Sequence, residues 1–107
     1  MKIIIKTQFE DLHKWEEAPI EVNFLRSPHR HIFFVEIRCE VYHDDRELEF
    51  IMVKRELDKI IQKNIKTMPV TKSCEMMANE LKSILKNRYL RPFEVSILED
   101  NENGVIV

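Results

Sequence analysis

His31-Ile32-Phe33-Phe34-Val35-Glu36-Ile37-Arg38-Cys39-Glu40-Val41-Tyr42 is the stretch on which the fold turns. Its odd positions run His31, Phe33, Val35, Ile37, Cys39 and Val41, and its later even positions are Glu36, Arg38 and Glu40. Side chains in a strand alternate between faces, so this is a strand with one buried and one wet face. Upstream, Lys2–Phe9 carries the β-branched run Ile3, Ile4 and Ile5 and reads as a first strand. Glu10–Pro28 loses periodicity, contains Pro19 and Pro28, and reads as a long loop with a helical turn. Downstream, His43-Asp44-Asp45 makes a turn and Glu47–Met52 reads as a short further strand. Val53, Leu57, Ile60, Ile61 and Ile65 then fall at helical spacing, which predicts a helix from Val53 to Asn64. Met68-Pro69-Val70 breaks the pattern before a second helix, capped by Ser73 or Thr71 with Glu75 in its first turn. Met77, Leu81, Ile84 and Leu85 form the buried stripe of that helix. Phe93–Glu99 alternates again, Asp100–Gly104 is a hairpin turn, and Val105–Val107 begins the return strand. The expected order is ββααββ: an α+β domain over residues 1–107, with a four-stranded antiparallel sheet and both helices on one face. Because the other face also carries apolar residues, a homo-oligomer is expected.

Composition removes several function classes. The chain has 107 residues, enough for a single core and too few for two. Hydrophobic residues make up 44% and charged residues 34%, proportions that exclude a wholly disordered chain. Seventeen Lys and Arg against nineteen Asp and Glu leave a net charge of −2, so a nucleic-acid partner is not implied. Gly104 is the only glycine, which excludes every glycine-rich phosphate loop. No apolar run is long enough to span a membrane, and the N-terminus lacks a signal-peptide core. Cys39 and Cys74 then read as reduced thiols of a cytoplasmic protein.

Two features carry chemistry. His29 and His31 flank a single residue at a strand mouth and so point to the same face, and His13 precedes them in the loop. Neutral imidazoles presented this way suit zinc, which takes three protein ligands and an open position when catalytic. They are equally the polar end of a strand beside an unrelated loop histidine. Glu99 continues the inward parity of Phe93, Val95 and Ile97, where a carboxylate could accept two N–H donors from a heterocycle's edge. Alternatively it belongs to the solvated turn Glu99-Asp100-Asn101-Glu102. Cys74 stands where a helix dipole can lower a thiol's pKa, or where a small side chain simply packs. Met52, Met68, Met76 and Met77 read as core filler. Trp15 is either a lid over the site or a plug for the domain's end.

These residues resemble a known family, the 6-pyruvoyl- and 6-carboxytetrahydropterin synthases. Phe9-Glu10-Asp11-Leu12-His13 resembles the F-x-x-x-H that ends their first strand. His29-Arg30-His31-Ile32-Phe33 resembles their H-G-H-N-Y, and Leu48-Glu49-Phe50 followed by Val53-Lys54 resembles the V-D-F that leads into their first helix. Thr71 to Ala78, with Glu75, resembles the T-x-E-N-x-A opening the second helix, and Ile97-Leu98-Glu99 resembles the V-x-E strand whose glutamate anchors the pterin. The resemblance implies a tunnelling fold, in which subunits join their sheets into an oligomeric barrel with sites between chains. It implies zinc on His13, His29 and His31, and a pterin or purine nucleotide ring held by Glu99 with Thr71 and Glu75. It also implies lyase-type chemistry, which three departures complicate. Asn23 to Pro28 has no thiol where the family keeps its catalytic cysteine, and Gln62–Val70 has no counterpart of the family's Asp-His pair. Arg30 replaces the small glycine and adds a cation beside the metal. The open alternatives are an enzyme with a non-standard base, a non-catalytic binding module, and a structural oligomer.

Overall fold

The computed structural model describes residues 1–67 and 69–107; Met68, read above as part of the break between helices and as core filler, lies outside the described residues. Four strands form one antiparallel sheet in the order β1 (Lys2–His13), β2 (His29–Glu40), β3 (Phe93–Glu99), β4 (Asn103–Ile106). Between β2 and β3 come α1 (Phe50–Ile60), which runs on through a π-helical turn (Ile61–Ile65), and α2 (Cys74–Tyr89). A 3-10 segment, Ile20–Arg26, lies in the β1–β2 connection. The architecture is α+β.

Period-two alternation builds the core. Phe33, Val35, Ile37 and Cys39 of β2, Ile5 and Phe9 of β1, and Phe93, Val95 and Ile97 of β3 are all buried on one face. Val53, Leu57 and Ile60 of α1 and Met77, Leu81 and Leu85 of α2 pack on that face in a continuous apolar cluster. Each such side chain contributes roughly 1.5–3 kcal/mol on full burial. Thr7, inward but polar, donates its hydroxyl to Asp58 Oδ1 at 2.6 Å and so ties α1 to β1.

The structure corrects four boundaries, the first being β2, which runs from His29 to Glu40 and not from His31 to Tyr42. β1 does not stop at Phe9: its ladder with β2 continues through Glu10↔Ile32, Asp11↔His31 and Leu12↔Arg30 to His13↔His29. Asp11 is inward and buried, so the polar residue itself hid the alternation. Glu47–Met52 is not a strand. The Glu49 carboxylate accepts the backbone N–H groups of Ile51 and Met52, capping α1 one residue before Phe50 and satisfying donors that a helix start leaves orphaned. β4 begins at Asn103, earlier than Val105. At α2 the cap is Ser73, whose hydroxyl accepts from Met76 N at 3.2 Å. Among the described methionines only Met77 is core; Met52 and Met76 are 66% and 61% exposed.

On the sheet's other face Ile4 and Ile106 are exposed, among Lys6, Glu36 and Arg38. Among the described residues no helix is long and apolar enough to cross a membrane. Both cysteines are free and buried.

Gly104 sits where β4 crosses Leu98, and a methyl group there would lie 2.0 Å from the Ile97 carbonyl oxygen and 2.6 Å from Leu98 Cα. Because those atoms are backbone, the strands must part to admit it. Gly104→Ala should therefore cost about 1–3 kcal/mol in urea unfolding; an unchanged midpoint would contradict this packing.

Candidate functional site

The site grows from the register of β1 on β2. His13 and His29 are directly paired, His31 is two residues along on the same face, and Phe33 and Glu99 are the next paired positions. The three imidazoles meet edge to face, with ring centroids 5.3 Å (His13–His29), 4.8 Å (His29–His31) and 5.9 Å (His13–His31) apart. The connection between the helices closes this end of the sheet. Val70 forms a parallel bridge with His13, with Lys14 N donating to Val70 O and Val70 N donating to Leu12 O. That bridge carries Thr71, Lys72 and the start of α2 to the histidines.

Each ring has one nitrogen committed to an acceptor. His13 Nε2 contacts the Lys72 carbonyl oxygen at 3.1 Å, His29 Nδ1 the Ser27 carbonyl oxygen at 2.9 Å, and His31 Nδ1 Asp100 Oδ2 at 2.6 Å. Carbonyls and carboxylates only accept, so these nitrogens donate, and in a neutral imidazole the other nitrogen is then bare. The bare atoms are His13 Nδ1, His29 Nε2 and His31 Nε2, and all three are buried without a hydrogen-bond partner. One ring nitrogen of each histidine lies within 4.8 Å of the others, so the three rings offer ligand atoms that could hold a metal ion. Tetrahedral zinc separates its nitrogen ligands by about 3.3 Å, so small side-chain movements close the set.

Glu99 completes the cluster. Its Oε1 is 3.6 Å from His13 Nδ1 and its Oε2 is 3.7 Å from His31 Nε2. The side chain is inward, at the paired end of β3, and not in the solvated turn. Three lone pairs and a carboxylate thus face one another. The one donor recorded among them is the Cys74 thiol, 3.9 Å from Glu99 Oε1. Burial, above all, depresses the pKa of His13 below the usual imidazole range. Burial first, and the Glu99 carboxylate second, push the Cys74 thiol up to about 12. Of the two readings for Cys74, burial and a raised pKa favour the packed thiol.

A cleft of about 620 Å³ opens beside the cluster, lined by His13, His29, Glu99, Thr71, Glu75 and Cys74, with Trp15, Leu25 and Met76 as apolar walls. That volume suits a small organic ligand. Glu99, Thr71 and Glu75, expected from the sequence to hold a ring, thus border one cleft with His13 and His29, while His31 is not part of its lining; Trp15 belongs to its wall. Thr71 and Glu75 are exposed at its rim. Arg30 does not join them. Side chains alternate, so the residue between His29 and His31 lies on the opposite face, where Arg30 pairs with Glu10 at 3.4 Å. A second depression of similar size on the outer face is lined by Lys6, Phe34, Glu36 and Arg38 and has no histidine or cysteine.

Sequence reasoning missed Asp100, Asp11 and the Lys72 carbonyl. Asp11, buried opposite His31, accepts Leu12 N at 2.8 Å. Asp100 had a signal, since an aspartate in a hairpin turn after an inward Glu99 can reach the neighbouring strand. No protein-family model matches the chain, and no curated protein matches it at a significant level.

Both thiols are buried, and burial raises the pKa of Cys39 as well. At pH 8 a thiol with a pKa near 12 is only about one part in ten thousand thiolate. Ellman's reagent at pH 8 should leave both thiols of the folded protein unreacted over minutes and titrate both in denaturant. Rapid reaction of one thiol in the native state would place Cys74 among reactive cysteines.

Proposed function

We propose that the chain is a tetrahydropterin-synthase-like protein of the tunnelling fold. In this reading it binds zinc through His13 Nδ1, His29 Nε2 and His31 Nε2 and a pterin or purine ring in the adjoining cleft. The observation that supports it is the convergence of three bare, buried imidazole nitrogens on a carboxylate, each ring held by an acceptor on its far side. Such a set of lone pairs is costly to bury without a cation, and carbonyl- or carboxylate-oriented imidazoles are the usual surroundings of zinc. Softer or harder metals fit less well: the ligand atoms are imidazole nitrogens, whereas calcium and magnesium favour oxygen.

Zinc, when bound in an open site, polarises a substrate oxygen or lowers the pKa of a water. The rest is supplied by the chain. Glu99 is the acceptor closest to the cluster and can take an N–H edge or a proton at its carboxylate. Trp15, Leu25 and Met76 offer apolar surface to the faces of a flat ring, while Thr71 and Glu75 offer polar atoms to its rim. A second reading, a non-catalytic binding module in the cytoplasm, is favoured by one specific observation. Cys74, the single thiol bordering the cleft, is buried beside Glu99, which raises its pKa, and Asn23 to Pro28 supplies no other. In both readings the free edges of β1 and β4 and the exposed Ile4 and Ile106 join further copies of the chain. Light scattering should then give a multiple of 12.9 kDa; a monomer at micromolar concentration would contradict the barrel.

Elemental analysis tests the metal. The purified protein should hold one zinc per chain, and His29→Ala and His31→Ala should each remove it, because two remaining histidines rarely suffice. Zinc retained in both variants, or absent from carefully prepared protein, overturns the site. Calorimetry tests the ring: Glu99→Gln replaces an acceptor with a donor and should weaken a pterin or guanine-like ligand about hundredfold. Equal affinity in the two proteins would remove Glu99 from recognition.

A further inference from the structure

Asp100 follows Glu99 directly but does something different. Its backbone is left-handed, with φ 53°, and Asn101 follows at φ 59°. With Glu102 N donating to Glu99 O at 2.9 Å, these two residues form the centre of a tight hairpin turn. The left-handed step brings the half-exposed Asp100 carboxylate within reach of β2. There it is fixed at three points: Asp100 N donates to Ile32 O at 2.7 Å, Ile32 N donates to Oδ1 at 3.0 Å, and His31 Nδ1 meets Oδ2 at 2.6 Å. One carboxylate oxygen is therefore anchored by the backbone of the residue next to His31, and the other is left for the imidazole alone.

From this geometry we infer that Asp100 is a positioning residue, which sets His31 as the Nδ1–H tautomer and so keeps Nε2 bare and aimed at the cluster. The inference rests on the metal reading above for its purpose, and on the hydrogen bonds alone for its chemistry. Both other histidines are held by backbone carbonyls, Lys72 and Ser27, which no substitution of their side chains removes. Among the described residues Asp100 is the one side chain in that role. Its carboxylate has no proton to give, so His31 Nδ1 must donate. An asparagine at position 100 tolerates the left-handed backbone as well as aspartate does and has the same shape. It can satisfy Ile32 N with its carbonyl oxygen, but it then turns its NH₂ group on His31 Nδ1. Two donors cannot face each other, so the imidazole must move its proton to Nε2, the atom that faces the cluster. The opposite amide orientation sets the NH₂ group against Ile32 N–H and breaks the anchor.

The experiment is two-dimensional ¹⁵N–¹H NMR of the histidine rings in metal-free wild type and Asp100→Asn, with zinc affinity of each measured by chelator competition. Wild type should show His31 protonated at Nδ1, and Asp100→Asn should show it protonated at Nε2, with thermal midpoints and circular dichroism unchanged. Zinc affinity should fall by about 10- to 100-fold in the variant, the usual effect of removing a carboxylate that orients a ligating histidine. Wild-type His31 protonated at Nε2 overturns the inference with no variant needed. An inverted tautomer with undiminished zinc affinity overturns the link from Asp100 to the metal. Wild type that binds no zinc, but has the Nδ1–H tautomer and inverts it in Asp100→Asn, upholds Asp100's control of the ring and overturns the metal reading instead.

Discussion

The antiparallel register of β1 on β2 is the constraint from which the site follows. Pairing Ile5 with Ile37 and Phe9 with Phe33 sets the buried apolar face, and the same ladder, carried four residues further, sets His13 against His29. A slip of one residue would send every side chain of β1 to the opposite face. The histidine cluster is thus held in place by the hydrophobic core: the burial of Ile5, Phe9, Val35 and Ile37 is what makes the alternative registers costly. The helices close the arrangement, because the Val70 bridge to His13 brings the Lys72 carbonyl and the cap of α2 to the end of the sheet.

What that register gathers is electrostatically one-sided. Bare nitrogens from three rings and both oxygens of Glu99 lie within a few ångströms, and the acceptors behind the rings keep the protons away from the centre. In the proposed function a cation occupies that centre. Burial first, and the neighbouring Glu99 carboxylate second, likewise disfavour a thiolate at Cys74.

Much of this was legible in the sequence, and the exceptions have physical reasons. β2 and β3 could be read because Phe33, Val35, Ile37 and Cys39, and Phe93, Val95 and Ile97, alternate without a break; parity put His29 with His31 and left Glu99 between an inward position and the solvated turn. The end of β1 could not, because Asp11 is buried at a position where the pattern calls for an apolar residue, so His13 read as a loop residue. The run Phe50-Ile51-Met52 looked like a strand, yet the capping carboxylate of Glu49 starts a helix there with those side chains exposed. Arg30 was placed beside the metal by analogy with a glycine, against the alternation that sets it on the outer face. The role of Asp100 depends on a left-handed backbone angle that aspartate in a hairpin turn tolerates, a signal the sequence carried but that does not say which strand its carboxylate meets.

The central claim is that His13, His29 and His31 hold a metal through one specific nitrogen each. X-ray diffraction from crystals grown with zinc, recorded on either side of the zinc absorption edge, tests it most directly. The account predicts one anomalous peak per chain, about 2.0–2.1 Å from His13 Nδ1, His29 Nε2 and His31 Nε2, with the Lys72, Ser27 and Asp100 contacts retained. A peak elsewhere on the chain, ligation through the opposite ring nitrogens, or no peak at all would contradict it.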